Sequence, residues 1–139
     1  LVVSSDYLRT RQTAQIVKEK FPEAVLIYDP RLRERLMGDF EGKLYQKSAD
    51  ALQNDSRQWL ENLYHTESYS HVAVRVLMLI DELECHYYQK TIVLVSHKVP
   101  LTIIHRFLLG YGGNDLSPVK KLAVEPLEVG AFVLHHFTL

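Results

Sequence analysis

Two kinds of apolar pattern alternate along the chain. Short blocks that are apolar throughout end in polar or turn-forming residues, and longer stretches repeat apolar residues three or four positions apart. Leu1 to Ser4 is a block of the first kind, as are Ala24 to Tyr28, closed by Asp29-Pro30, and Thr91 to Val95, which runs into Ser96-His97-Lys98. Each predicts a buried strand. The first longer stretch predicts a helix over about 7–21, capped by Ser5 or Asp6, ended by Pro22, and burying Leu8, Ala14, Val17 and Phe21. A helix starting at Glu67-Ser68 carries Val72, Val76, Leu79, Ile80 and Leu83 as its apolar stripe. A further helix has Pro100 in its first turn and stops at Gly110. Residues 44–64 predict another helix, with Leu52, Trp59, Leu60 and Leu63 available for burial. Arg31 to Lys43 surrounds two glycines with charges, has no period, and predicts a loop; Lys121 to Glu125 and Ala131 to Leu139 predict two closing strands. Strands that alternate with helices imply an α/β fold with a mostly parallel sheet, here as one domain over residues 1–139.

Composition narrows the function classes. With 139 residues, 47% of them hydrophobic, the chain can bury a core of its own. A formal net charge of −1 gives no electrostatic case for nucleic acid or an anionic membrane as partner. The single cysteine, Cys85, cannot close an intrachain disulfide, and no apolar run approaches the ~20 residues that span a bilayer. The amino terminus lacks the charged and apolar regions of a signal peptide, so a cytoplasmic location is expected. The chain opens without methionine on LVVSSD, already the end of a strand, which raises the expectation of an upstream piece.

Candidate chemistry gathers after the three strands. Ser4-Ser5-Asp6 with Arg9 and Arg11 follows the first, Arg31, Arg33, Glu34 and Arg35 follow the second, and Ser96-His97-Lys98 follows the third. In a parallel sheet these strand ends share one edge, where ligands bind. Arginine forks suit the oxygens of a phosphate, and a histidine at a strand end can donate to an anion or exchange protons. Each residue also has a plainer reading: His97 as a hydrogen-bonded loop residue, Glu34 as an exposed ion-pair partner. Arg9 and Arg11 in the first turn of a helix have the disfavoured polarity, which an anionic ligand would explain. No His-x-x-x-His pair with a nearby carboxylate occurs, so neither a metal site nor a cofactor is expected. His135 and His136 read as structural.

The segments SSDYLRTRQTA, RLRERLMGDFEG, ESYSHVAVRV and LVSHKVPLTIIHRFLLG, in that order, resemble the histidine phosphatase (phosphoglycerate mutase-like) superfamily. The resemblance implies a three-layer sandwich around a mostly parallel sheet. It implies that Arg9 is the second phosphate-binding arginine, Glu34 the proton donor, and His97 the second histidine, which stabilises the transferring phosphoryl group. Arg35 matches a position that contacts substrate in the mutases, and Ser5 and Lys98 complete the implied phosphate-binding set. Lys98 stands where the family usually has glycine, and Thr102 where many members carry arginine or another polar group. Family members react through a phosphohistidine in an Arg-His-Gly motif on the first strand, and none of the seven histidines here stands between arginine and glycine.

The implied architecture therefore lacks its N-terminal strand, which would lie beside Thr91 to Val95. This chain is then expected to supply the phosphate pocket and proton donor of a phosphomonoester hydrolase or phosphomutase, acting on a phosphorylated small molecule chosen by residues 46–70. The alternative is a degenerate member that binds a phosphorylated ligand or a partner without turnover. An unpaired strand edge would be filled by a retained peptide, by a rearranged terminal strand, or by strand exchange in a homodimer.

Overall fold

The computed structural model describes residues 1–44, 50–52 and 55–108. Three strands, β1 (Val2–Ser4), β2 (Leu26–Tyr28) and β3 (Val93–Val95), form a parallel sheet in the order β2-β1-β3. Val2 lies opposite Leu26 and Val93, and Ser4 opposite Tyr28 and Val95, so all three strands end at one level. Helix α1 (Leu8–Lys20) follows β1, α2 (Tyr69–His86) precedes β3, and α3 (Lys98–Leu108) follows it. Short 3-10 turns occupy Pro30–Leu32, Gly38–Phe40, Ser56–Trp59 and Leu63–His65.

Alternation along β1 divides the core in two, because successive strand residues point to opposite faces. Val3 packs with Leu32 and with the buried residues of α2 and α3, among them Val72, Val76, Leu79 and Ile103. Val2 and Val95 pack on the other face against Ala14 of α1. Helices on both faces of a central sheet make the three layers implied by the sequence. The α2 stripe is buried at all five expected positions, and each such side chain contributes roughly 1.5–3 kcal/mol. The Ser68 hydroxyl accepts from the His71 N–H and starts that helix.

Elsewhere the structure departs from the pattern. In α1 the inward positions are Thr10 and Ala14, while Leu8 and Phe21 are exposed. Thr10 can be buried because its hydroxyl reaches the Ser5 and Tyr7 carbonyls at 2.9 and 2.8 Å. Neither Ser5 nor Asp6 caps the helix. Tyr7 holds that position without a side-chain bond. No continuous helix runs over 44–64: the described residues there include two 3-10 turns, and Leu60 is exposed. Tyr64 and His65 break the path with φ of +51° and +57°. Gly38 (φ +50°) sits against them, where a Cβ would fall 2.4 Å from the His65 backbone. Pro100 lies in the first turn of α3, where its missing N–H costs no intrahelical bond. Gly110 and the expected strands at 121–125 and 131–139 lie outside the described residues.

Candidate active site

β1 and β3 are neighbours that end together, so the residues just beyond them meet. The Ser5 N–H donates to the Val95 carbonyl at 2.8 Å, and this brings the Ser5 hydroxyl to 2.9 Å from His97 Nε2. On the other side of the ring, Arg9 Nη2 lies 2.8 Å from His97 Nδ1. A guanidinium only donates, so Nδ1 is the acceptor and Nε2 carries the hydrogen that goes to Ser5. Tyr7 closes the third side edge-on, with ring centroids 5.2 Å apart, and both Arg9 and Arg33 lie against its ring. Ser5 and His97 are buried; Arg9 reaches in from an exposed first turn of α1. Burial, then the charges of Arg9 and Arg75, push His97 down to about 4 against a weaker opposing pull from Asp6. The imidazole is neutral at pH 7.

Glu34 comes from the loop after β2. Asp29 starts that loop by accepting from the Arg31 N–H, Leu32 is buried beneath it, and the Ser96 hydroxyl ties it to the His97 turn through the Leu32 carbonyl at 2.6 Å. Glu34 Oε1 accepts from the Arg35 N–H at 2.9 Å and from the Val99 N–H at 3.3 Å. Val99 lies in the first turn of α3, where the N–H groups have no intrahelical acceptor and can donate to a carboxyl oxygen. Glu34 is thereby held on the turn that His97 opens.

Of the residues singled out in the sequence, Ser5, Arg9 and His97 converge, and Glu34 is fixed to the adjoining turn. Lys98 is exposed as the first residue of α3. Arg35 takes another place. Its guanidinium is buried and donates to the Glu67 carbonyl, Gln58 Oε1 and Thr66 Oγ1, none of them a group of the His97 cluster. Arg33 pairs with Asp6 through Nε at 2.7 Å, and this bond holds the Asp6 carboxyl below its usual range. Arg11 lies over the Tyr28 ring. Tyr7 and Arg75 were not anticipated. Arg75 carried a signal, since it interrupts the apolar face of α2 between Val72 and Val76, where a charge needs a partner. Among the described residues no group of His, Cys, Asp and Glu side chains could hold a metal ion, and no helix is long and apolar enough to cross a membrane.

Residues 1–133 match the family model described as the histidine phosphatase superfamily, branch 1. The chain belongs to this superfamily. Among its histidine phosphatase relatives, phosphoserine phosphatase 1 of Hydrogenobacter thermophilus is 31% identical over 123 residues, covering 84% of this chain and 56% of that protein. The protein named "Probable phosphoglycerate mutase GpmB" of Erwinia tasmaniensis is 30% identical over 122 residues, covering 81% of this chain and 54% of the relative. The chain thus spans little more than half the length of the curated relatives it matches. A mycobacterial glucosyl-3-phosphoglycerate phosphatase, solved with inorganic phosphate, superposes with a TM-score of 0.66 at 30% identity over 79% of this chain and 58% of that one.

Proposed function

We propose that this chain provides the phosphate-binding and proton-donating part of a phosphomonoester hydrolase or phosphomutase whose attacking histidine lies on an upstream segment. The observation that carries the reading is the grip on His97 by Arg9 at one ring nitrogen and Ser5 at the other. An incoming phosphate dianion replaces the imidazole as the acceptor for Arg9, whose fork takes two of its oxygens. The Ser5 hydroxyl and the His97 Nε2–H turn to the remaining oxygens. With the Arg9 charge offset by a dianion, the imidazole gains basicity, takes up a proton from solvent at Nδ1, and reaches the transition state as an imidazolium, the stronger donor.

In the first step an N–P bond forms to the upstream histidine and the P–O ester bond breaks. The proton of the Glu34 carboxyl goes to the leaving oxygen. Water then attacks phosphorus, the N–P bond breaks, phosphate leaves, and the proton of the water returns to the Glu34 carboxylate; attack by a second hydroxyl in place of water would make the enzyme a mutase. The phosphate complex of the mycobacterial relative supports a phosphorylated small molecule as ligand.

A second reading, a phosphate-ligand module without turnover, is favoured by one feature: Lys98 stands beside His97 where the resemblance leads one to expect glycine. Calorimetric titration of this chain with inorganic phosphate tests the shared claim. Saturable binding is expected, weakened roughly tenfold or more by Arg9→Ala, as losing a charge-assisted bond of about 1.5–3 kcal/mol requires. Absence of binding, or an Arg9→Ala variant that binds as well, overturns both readings. With an aryl phosphate, turnover by this chain alone is expected at background. Hydrolysis abolished by His97→Ala would instead place an attacking group within it.

A further inference from the structure

We propose that Arg75, together with Glu67, is a positioning residue that sets where the Glu34 carboxyl stands relative to His97; the inference rests on the reading of Glu34 as proton donor. Arg75 projects from α2, the helix most firmly anchored in the core, and meets Glu67 through two parallel bonds, Nε to Oε1 at 2.8 Å and Nη2 to Oε2 at 2.9 Å. Its remaining donors go to backbone of the loop after β2: Nη1 to the Arg31 carbonyl at 2.5 Å and Nη2 to the Glu34 carbonyl at 3.3 Å. Glu67 completes the hold. Its Oε2 accepts from the Leu36 N–H at 3.3 Å, and its own N–H donates to the Leu36 carbonyl at 2.9 Å.

The segment from Arg31 to Leu36 is thus pinned through the backbone of its two ends and of Glu34 itself. The pair is shielded, with side chains 20% and 14% exposed, so its bonds are weakly screened. What the clamp fixes is the direction from which Glu34 approaches Val99, and with it the distance from the carboxyl to the phosphoryl site. A lysine cannot replace this arginine, since a single ammonium cannot match the carboxylate and span two carbonyls in one plane.

Arg75→Lys keeps the charge and the helix propensity and removes the fork. Amide hydrogen exchange is the direct readout. The Val99 and Arg35 N–H groups, both donors to Glu34 Oε1, are expected to exchange at least about tenfold faster in the variant. The amides of Val76 and Leu79 within α2 should keep their protection. Glu67→Gln, which weakens the same clamp from its other half, is expected to act in the same direction and stands in if Arg75→Lys does not fold. Inorganic phosphate affinity should change by less than about threefold, because Ser5, Arg9 and His97 are untouched. Unchanged protection of Val99, or its loss in parallel with the α2 amides, overturns the positioning role. Failure of the wild-type chain to bind phosphate would remove the proposed function and leave the exchange result standing.

Discussion

Arg35→Ala is expected to lower the unfolding free energy by several kcal/mol, on the order of 3–5, while inorganic phosphate binds nearly as before. Arg35 is 4% exposed, and its guanidinium holds three acceptors, the Glu67 carbonyl at 2.5 Å, Gln58 Oε1 at 3.0 Å and Thr66 Oγ1 at 3.0 Å. Its carbon lies 4.1 Å from the Tyr69 ring centroid, and Tyr69 stacks on Trp59 at 6.0 Å. Truncation therefore leaves buried Gln58 and Thr66 oxygens without their donor and removes the plate on which two aromatic rings are built. Each unsatisfied buried group costs about 1–3 kcal/mol, and a domain is stable by only about 5–15 kcal/mol. Urea unfolding beside a phosphate titration separates the alternatives. A tenfold loss of phosphate affinity at unchanged stability would return Arg35 to the ligand-contacting role implied by the mutase resemblance.

The wild-type chain is expected to lose up to about 3 kcal/mol of stability between pH 6.5 and pH 4 that a His97→Gln variant does not lose. His97 in the folded chain is pushed down to about 4 by burial and by the charges of Arg9 and Arg75. The unfolded chain holds this proton from near pH 6.5 downward, so within the window it binds more protons than the folded one, and stability rises with pH. Below pH 4 both states are protonated and the contribution of His97 levels off. Asp6, held low by Arg33, protonates only below the ordinary aspartate range and lies under the window. The other histidines are common to both proteins and cancel in the difference. Unfolding curves for the two proteins that stay parallel across the window would mean that His97 titrates normally.

How much of this was legible in the sequence depended on what kind of residue did the work. The three strands and α2 were readable because apolar side chains alone build them: TIVLV and the stripe from Val72 to Leu83 leave little else to bury. Ser5, Arg9 and His97 were readable because strand ends in a parallel sheet bring their loops together whatever the side chains are. The helix expected over 44–64 gives way to 3-10 turns from residue 56 onward for the opposite reason. Between 56 and 66 the buried residues are the polar Gln58 and Thr66, a polar core keyed to one arginine, while Leu60 is exposed. A count of apolar spacing cannot see such a core, nor the left-handed turn at Tyr64 and His65. Leu8 misled in the same way, since the inward face of α1 is set by Thr10, a polar residue whose hydroxyl is satisfied locally. Arg35 was assigned by motif position alone, and position says nothing of which way a long side chain turns.

On the proposed reading, a neutral, buried His97, held between Arg9 and Ser5, is the receiving group of an anion site. NMR titration of the His97 ring against pH, without and with saturating sulfate, a dianion over the whole range, tests it most directly. A midpoint near 4 is expected in the free chain. With sulfate bound, a rise of at least about one unit is expected, the change that a nearby dianion produces on an imidazole. A midpoint near the ordinary 6.5 that sulfate does not move would contradict it.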